Sequence, residues 1–398
     1  MGRIGIFGGS FNPPHRGHLL AAQEQRRVLQ LDKIILIPAG FPPHKQLSED
    51  APTAQQRLAM TRALVADDPA FEVSDLEICR EGPSYTADTL RALRAQYPED
   101  ELFLLMGTDM FLSFHSWSRP EEICRMASLC LALRQSPSKK EALLISAQAQ
   151  ALRVQYGARV LQIQNDYLDM SSTTVRRMLY FDCAEAYLTP AVARYIYDNG
   201  LYGTGVCRKD LPFEALRACA LPLHKEGRRP HVIGCCETAQ ALAKRWGADP
   251  ALAARAGILH DITKALDKPA HLALCQKYGI PLRPFEVAND KLLHAKSGAA
   301  VAKGVFGECA AVVDAIFWHT TGKANMCLLE KIIYLADYME PNRDFDGVEL
   351  LRRFAWTDLD RAMLHAFEMS VELLESRGRA VDVNSRDALD FMRLQLAK

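Results

Sequence analysis

The chain has 398 residues, enough for two or three domains, and its 48 basic residues balance 48 acidic ones. With no net charge, it has no overall field that favours nucleic acid or an anionic membrane. Its eleven cysteines form no C-x-x-C pair, no signal-peptide pattern precedes the first strand, and no apolar run reaches transmembrane length. These features predict a cytoplasmic protein with reduced thiols, compatible with a homo-oligomer and without nucleic-acid or membrane partners.

The first half of the chain alternates predicted strands with predicted helices. Apolar runs predict strands at residues 3–7, 33–38, 71–78, 102–106, 128–133 and 159–163. Helical patterns lie between them at residues 19–31, 53–66 and 86–96. Such alternation is typical of a parallel sheet with helices on both faces. We therefore predict a doubly wound, Rossmann-like α/β domain at residues 1–207.

The turn after the first strand is the run from Gly8 to His18, GGSFNPPHRGH. Gly8 and Gly9 let the backbone approach a ligand closely. His15 and His18 share a face of the first helical turn, where free N–H groups and the helix dipole favour an anion. The alternative is a glycine turn with two surface histidines, but the paired histidines after Asn-Pro-Pro favour a phosphate site. No Walker lysine or G-x-G-x-x-G is present, which excludes a P-loop and a dinucleotide fingerprint.

Further polar groups follow later strands. The run Pro42-Pro43-His44-Lys45 follows the second strand, and Gly107-Thr108-Asp109 follows the strand at 102–106. The run SSTTVR at residues 171–176 follows the last strand and opens a helix, with Ser171 or Ser172 as its N-cap. Its N–H groups could hold a second phosphate that Arg176 also faces. Capping alone would explain this run, but its position after the last strand favours a second phosphate turn.

Taken in order, these motifs resemble bacterial nicotinate-nucleotide adenylyltransferases over about residues 1–203. The first motif, G-S-F-N-P-P-H-x-G-H, resembles the signature of the wider nucleotidylyltransferase superfamily. The features that carry the closer resemblance are P-P-H-K, S-Y-T-x-D-T-L from Ser84, G-T-D, Trp117, S-S-T-x-x-R and T-P-x-V-x-x-Y-I-x-x-x-G-L-Y from Thr189.

The resemblance implies transfer of the adenylyl group from ATP, with Mg²⁺, to nicotinate mononucleotide, giving nicotinate adenine dinucleotide and pyrophosphate. It implies that His15, His18 and Arg176 are catalytic and that Thr86, Asp109 and Trp117 hold the mononucleotide, with Trp117 stacked on the pyridine ring. The other implied substrate-binding residues are Gly8, Gly9, Ser10, Phe11, His44, Lys45, Gly107, Ser171, Ser172 and Thr173. The alternative is a different adenylyl or cytidylyl acceptor.

The second half lacks strand signals and predicts an all-α domain at residues 208–398. Helical patterns cover residues 213–224, 231–246, 250–260, 294–305, 326–338 and 359–375. Histidine and aspartate recur on or beside these helices, and imidazole with carboxylate suits transition metals. One histidine on a helix is usually solvated or satisfied, whereas Asp337, at the end of an apolar run, needs a partner. The candidate metal ligands are His231, His260, Asp261, His294, His319 and Asp337.

This H…HD…H…H…D pattern resembles the HD phosphohydrolase superfamily. The segments H-T-T-G, L-E-K-I-I and A-D-Y-M-E-P-N-R resemble the YqeK family of HD proteins, over about residues 210–395. That resemblance implies symmetrical hydrolysis of diadenosine tetraphosphate to two ADP, with iron or another divalent metal at a two-metal site.

In this scheme Asp261 is catalytic and bridges the two metals. His231, His260 and Asp337 complete the first metal, and His294 and His319 hold the second. Two basic residues are candidates for phosphate contacts: Lys264 as a further catalytic residue and Arg343 as a substrate-binding residue. The alternative for both is a solvated surface charge. The alternatives for the whole domain are hydrolysis of another nucleotide and a non-catalytic nucleotide sensor.

Overall fold

The computed structural model describes residues 2–42, 47–48, 50–133, 138–164 and 170–397. The chain divides into two compact units, Met1–Gly205 (unit 1) and Val206–Lys398 (unit 2). The predicted boundary after residue 207 lies two residues beyond this division. Among the described residues, the helices are all too short or too polar to cross a membrane.

Unit 1 is built on one six-stranded parallel sheet, as predicted. Its order is β3-β2-β1-β4-β5-β6, so the strand order reverses where β1 lies between β2 and β4. In open α/β sheets, ligands bind at the carboxyl ends of the strands beside such a reversal. The strands are Arg3–Gly9 (β1), Lys33–Pro38 (β2), Phe71–Val73 (β3), Glu101–Gly107 (β4), Ser128–Leu133 (β5) and Val160–Gln164 (β6).

Helices connect these strands and bury one apolar side against the sheet. On one face, Ile6, Leu104 and Leu131 pack with apolar residues of four helices, and burying each such side chain contributes about 1.5–3 kcal/mol. The helices of unit 1 are Arg16–Leu29 (α1), Ala54–Val65 (α2), Thr86–Gln96 (α3), Thr108–Leu112 (α4), Pro120–Met126 (α5), Lys139–Tyr156 (α6), Ser172–Tyr180 (α7) and Pro190–Asp198 (α8).

Two predicted elements of unit 1 differ in the structure. The strand predicted at residues 71–78 ends at Val73, because a turn follows in which the Ile78 N–H donates to the Asp75 carbonyl at 2.8 Å. Helix α1 begins at Arg16, three residues earlier than predicted. Its first turn therefore includes His18, with His15 as the N-cap.

Unit 2 is entirely helical among its described residues, as predicted. The helix predicted at 213–224 is wrong in length: it ends at Ala220, where a 3₁₀ turn containing Pro222 follows. The helices are Phe213–Ala220 (α9), Arg229–Trp246 (α10), Pro250–Leu259 (α11), Lys268–Lys277 (α12), Pro284–Ala288 (α13), Asp290–Gly304 (α14), Ala310–Trp318 (α15), Leu328–Met339 (α16), Val348–Thr357 (α17), Leu359–Ser376 (α18) and Val383–Leu396 (α19).

Candidate functional site

The carboxyl ends of β1 and β4 open into a cavity of about 530 Å³ in unit 1. The predicted residues that line it are Gly8, Gly9, Ser10, His15, His18, Thr86, Gly107, Asp109, Trp117, Ser171, Ser172 and Thr173. Phe11 and Arg176 lie behind the lining. His44 and Lys45 lie outside the described residues, so their predicted roles stay predictions.

His15 and His18 lie together at the start of α1. Their ring centroids are 3.7 Å apart, and the His15 N–H donates to His18 Nδ1 at 3.2 Å. Burial, and to a smaller extent the neighbouring His18, lowers the pKa of His15 well below its usual value. His15 is therefore neutral near pH 7, and its buried Nδ1 has no partner among the described residues. The first N–H groups of α1 can meet a phosphate.

The second predicted phosphate turn is held against the first. The Ser172 hydroxyl donates to the Pro13 carbonyl at 3.0 Å, and Arg176 Nη1 donates to the Asn12 carbonyl at 2.6 Å. Ser171 is the N-cap of α7, with its Oγ accepting from the Thr174 N–H. Two helix N-termini thus face one cavity. Arg176 bonds the loop between β1 and α1, and its contact with a phosphate remains a prediction.

The other end of the cavity contains Trp117 and a buried carboxylate that sequence reasoning missed. The Trp117 ring packs against Phe114, with centroids 5.1 Å apart. Glu77 lines the cavity and accepts a hydrogen bond from Thr89 Oγ1 at 2.6 Å. Burial raises the pKa of Glu77, although hydrogen bonds, first that from Thr89, oppose the rise. Glu77 lies in the segment predicted as a strand, which offered no signal for this role.

Gly40 lets the end of β2 approach this region closely. A Cβ at Gly40 would lie 2.4 Å from the Glu77 carbonyl oxygen, so another residue would force backbone apart. The Gly40 N–H donates to Ser84 Oγ at 3.0 Å. Ser84 stands two residues before Thr86, the first residue of α3. The end of β2 is thereby fixed to the start of the predicted mononucleotide site.

Unit 2 gathers its predicted metal ligands into one buried centre. Asp261 belongs to two ligand groups, one with His231 and His260 and the other with His294 and His319. Its Oδ2 lies 3.4 Å from His260 Nε2, and its Oδ1 lies 3.2 Å from His294 Nε2. The two carboxylate oxygens thus face different histidine pairs. Asp337 joins the first group, with its Oδ1 3.1 Å from His231 Nε2.

Hydrogen bonds fix which ring nitrogen of each histidine faces the centre. His260 Nδ1 donates to the Gly257 carbonyl at 2.7 Å, and His319 Nδ1 donates to the Ile316 carbonyl at 2.7 Å. His231 Nδ1 donates to Glu340 Oε1 at 3.1 Å. When one ring nitrogen donates in this way, the other has a lone pair for a metal. The acceptors on the outer side therefore prepare three Nε2 atoms as ligands.

The donor set fits divalent metal ions. The Nε2 atoms of His294 and His319 are 3.2 Å apart, and those of His231 and His260 are 3.3 Å apart. Two Nε2 atoms at about this separation can both coordinate one ion, since a metal–nitrogen bond is about 2.0–2.1 Å long. Burial lowers the pKa of His294 to about 4, so its ring is neutral, as a metal ligand must be. Nitrogen and carboxylate donors suit iron, manganese or zinc.

The protonation of two other ligands follows from their mutual contacts. Burial alone would raise the pKa of Asp261, but the histidines, first among them His260, hold it well below its usual range. Burial would lower the pKa of His260, but Cys235 and Asp261 outweigh it and raise this pKa. A metal must therefore displace a proton from His260, which makes metal binding weaker at low pH.

Three cations border this centre. Lys264 Nζ donates to Asp261 Oδ1 at 3.1 Å, and Arg343 Nη2 donates to Asp337 Oδ1 at 2.6 Å. Both were predicted to contact phosphate, and here each contacts a predicted ligand. Arg228, which sequence reasoning missed, donates from Nε to Asp261 Oδ2 at 2.9 Å. Its position directly before α10, three residues ahead of His231, was the only available signal.

Glu340 is a second residue that sequence reasoning did not place in the site. Its side chain is 1 % exposed, and its Oε2 accepts from the Asn342 N–H at 2.7 Å while Oε1 faces His231. A Cβ at Gly234 would lie 2.5 Å from Oε2, so a side chain there would displace this carboxylate. Glu340 thus holds the His231 ring in its orientation.

We expect Glu340→Gln to weaken metal binding about 10–100-fold, because the ring of His231 loses its charged acceptor. The measurement is metal affinity by competition with a chelating dye, with the fold checked by circular dichroism. Glu372→Gln, at an exposed position on α18, is the matched control. Equal affinities in both variants would show that Glu340 does not support His231.

His271, outside the ligand set, predicts how stability depends on pH. It is 4 % exposed, with Nδ1 2.7 Å from Ser297 Oγ, and burial lowers its pKa to about 4. As pH falls from 6.5 to 4, His271 is protonated in the unfolded chain but stays neutral in the folded chain. The free energy of unfolding should therefore fall by about 1.4 kcal/mol per pH unit from this group as pH decreases.

His271→Gln should remove that contribution from the pH dependence of urea unfolding of unit 2. His365→Gln, at a partly exposed position on α18, is the control and should keep the full slope. An unchanged slope in His271→Gln would contradict the prediction.

Comparison with known proteins separates the two units. Residues 6–178 match the cytidylyltransferase-like family model, and residues 228–342 match the HD domain model. The chain is 39% identical over 212 residues to a "probable nicotinate-nucleotide adenylyltransferase" of Syntrophotalea carbinolica, which covers 50% of this chain and 97% of that protein. A protein of the same name from Thermus thermophilus is 40% identical over 201 residues, covering 50% and 99%.

Solved structures include a relative of the HD domain. It is described as a predicted HD superfamily hydrolase involved in NAD metabolism, from Clostridium acetobutylicum. It shares 34% identity with this chain and covers 46% of it and 98% of its own length, with a TM-score of 0.45. The sequence matches over unit 1 and the domain match over unit 2 lead to one conclusion. The chain belongs, through its first half, to the nicotinate-nucleotide adenylyltransferase family, and it carries an HD domain in its second half.

Proposed function

We propose that unit 1 transfers the adenylyl group of ATP to nicotinate mononucleotide, releasing pyrophosphate and forming nicotinate adenine dinucleotide. The observation that carries this proposal is the single cavity in which two helix N-termini, the His15–His18 pair and Trp117 meet. The named relatives over this half support the same acceptor.

In this mechanism the protein aligns two anions and stabilises the charge that develops between them. The phosphate of the mononucleotide is already a nucleophile, so no residue needs to remove a proton. His15, neutral at pH 7, and His18 face the ATP phosphates, and the N-termini of α1 and α7 supply N–H donors. Mg²⁺ enters with ATP, held mainly by phosphate oxygens and water.

The test offers the protein ATP, CTP and Mg²⁺ with nicotinate and nicotinamide mononucleotides in competition, and separates the products. Preferential formation of nicotinate adenine dinucleotide supports the proposal. Preferential use of nicotinamide mononucleotide would show that it, and not nicotinate mononucleotide, is the acceptor. Transfer to neither, or transfer of cytidylyl from CTP in place of adenylyl, would refute it in favour of another acceptor or donor.

We further propose that unit 2 hydrolyses diadenosine tetraphosphate symmetrically to two ADP. Two ligand groups that share Asp261 support a two-metal hydrolase, and Arg228, Lys264 and Arg343 suit an anionic polyphosphate. His231, His260 and Asp337 would hold one metal, and His294 and His319 the other. When bound, such metals polarise phosphoryl oxygens and lower the pKa of water.

The residues of this chain would bind and orient the tetraphosphate. Lys264 and Arg343 each donate to a carboxylate that borders the centre, so each can turn its charge toward a phosphate while its backbone stays in place. Both proposed substrates are nucleotides, and all eleven cysteines are free thiols, which supports a cytoplasmic location.

Unit 2 is tested by giving the full chain diadenosine tetraphosphate with ferrous iron or Mn²⁺ and identifying the products. Two ADP as the sole pair would support symmetrical cleavage. ATP and AMP as the products would still show a hydrolase, but they would contradict symmetrical cleavage. A metal-loaded protein that forms no product would refute this activity in favour of another nucleotide or a sensor.

A further inference from the structure

Arg57, on α2, is a buried cation that no motif identified. It is 1 % exposed, and its guanidinium donates from Nη1 to the Ser10 carbonyl at 2.8 Å and from Nη2 to the Gly40 carbonyl at 3.2 Å. Among the described residues, no carboxylate pairs with it, and its Nε has no hydrogen-bond partner. A buried charge without a counter-ion is costly, so its place beside a predicted anion site is informative.

The loop that Arg57 contacts contains a strained residue. Phe11 has φ +43°, a left-handed conformation that bulky side chains rarely adopt. Hydrogen bonds fix the residues on both sides of Phe11. Arg57 donates to the Ser10 carbonyl, and Arg176 donates to the Asn12 carbonyl at 2.6 Å. The Phe11 ring packs on His18, with centroids 5.2 Å apart. The two arginines thus stabilise the backbone conformation that supports the His18 ring.

The same contact determines the direction of a backbone donor. A peptide group is planar and trans, so a Ser10 carbonyl that points to Arg57 turns the Phe11 N–H the opposite way. That N–H makes no hydrogen bond within the part of the chain that the structure describes. Arg57 therefore sets the orientation of the Ser10–Phe11 peptide group within the turn.

Arg57 also connects the two ends of the cavity. Its second acceptor, the Gly40 carbonyl, belongs to the residue whose N–H donates to Ser84 Oγ at 3.0 Å. Ser84 leads directly into Thr86 at the start of α3. One guanidinium therefore links the loop expected to meet ATP with the segment expected to meet the mononucleotide.

We propose that Arg57 is a positioning residue for adenylyl transfer, an inference that rests on the proposed function of unit 1. It fixes the Ser10–Asn12 turn, on which the His18 ring packs, so that His18 meets the ATP phosphates, and it places a positive charge behind that turn. It does not line the cavity and so does not contact the substrate.

The test compares Arg57→Met and Arg57→Lys with a control on the same helix. Arg62→Met is that control, because Arg62 is more than half exposed and only faces Asp75 at 3.6 Å. Arg57→Met should lower kcat about 100-fold, because the turn loses both its anchor and the charge. Arg57→Lys keeps the charge and one anchor and should lose about 10-fold. The KM for nicotinate mononucleotide should stay within about twofold in both, because the Gly40 N–H keeps its bond to Ser84 Oγ and that substrate keeps its own contacts.

A second measurement reports directly on the stability of the loop between β1 and α1. Amide hydrogen exchange of the full chain should be faster in residues 8–14 of Arg57→Met, while residues 54–65 of α2 keep wild-type protection. Loss of protection in α2 together with the loop would indicate a merely structural role and overturn the inference. A kcat equal to that of Arg62→Met would overturn it as well.

The two proposals fail in different ways. A wild-type chain that forms no nicotinate adenine dinucleotide would refute the proposed function, and with it the catalytic part of this inference. An active wild-type chain with unaffected Arg57 variants would refute this inference alone.

Discussion

Replacing Asp261 with asparagine should abolish metal binding and nucleotide hydrolysis by unit 2. Asp261 is 1 % exposed, and its two oxygens face separate histidine pairs, so one substitution removes the shared ligand of both groups. Asparagine keeps the shape but lacks the charge that a divalent cation requires. A loss of several kcal/mol of charge stabilisation corresponds to a fall of about 10³-fold or more in hydrolysis.

The measurements are bound metal by elemental analysis and the rate of diadenosine tetraphosphate cleavage. Asp314→Asn, at an exposed position on α15, is the matched control and should keep wild-type metal content. Adenylyl transfer should be unchanged in both variants if the units act independently. Full metal content in Asp261→Asn would contradict the assigned centre, and loss of both activities would contradict independence.

Replacing His18 with alanine should reduce adenylyl transfer about 10²–10³-fold. His18 lies in the first turn of α1 with its ring beside His15 and Phe11, so its loss removes a donor from the phosphate site and unpacks both neighbours. Removal of one such oriented donor typically has this effect on kcat. His18→Asn keeps a donor of similar reach and should recover part of the loss.

The measurement is steady-state formation of nicotinate adenine dinucleotide at saturating ATP. His115→Ala, at an exposed position of the same unit, is the control and should match the wild type. Hydrolysis by unit 2 should be unaffected. A His18→Ala variant with wild-type kcat would contradict the placement of ATP at this helix N-terminus.

The residues that sequence reasoning identified share two properties. His15, His18 and Ser171 lie at strand-to-helix turns, and the carboxyl ends of parallel strands meet at one edge of a sheet. The candidate ligands of unit 2 are histidines and aspartates in or beside helical patterns, residue types that are uncommon in a buried place without a role. In both cases residue type and position along the chain were enough.

The residues that it missed depend on tertiary packing. Arg57 lies in an ordinary helical segment and Glu340 directly follows one, at positions where arginine and glutamate are normally solvated. Only the folded chain shows that Arg57 is buried against the Ser10 carbonyl and that Glu340 reaches His231. The shortened strand at Phe71–Val73 has a similar cause, because the alternating pattern continues through Ile78 while the backbone turns at Asp75. Local periodicity does not record such a turn.

The wide spacing of the candidate metal ligands has a consequence for biosynthesis. They extend from His231 on α10 to Asp337 on α16, and the bundle that unites them depends on contacts between distant segments. A growing chain therefore cannot assemble this centre until α16 has left the ribosome, whereas unit 1 ends at Gly205 and can fold much earlier. During synthesis, the nucleotide cavity of unit 1 is expected to mature first, and metal loading of unit 2 comes as a late step on a chain that is already half folded.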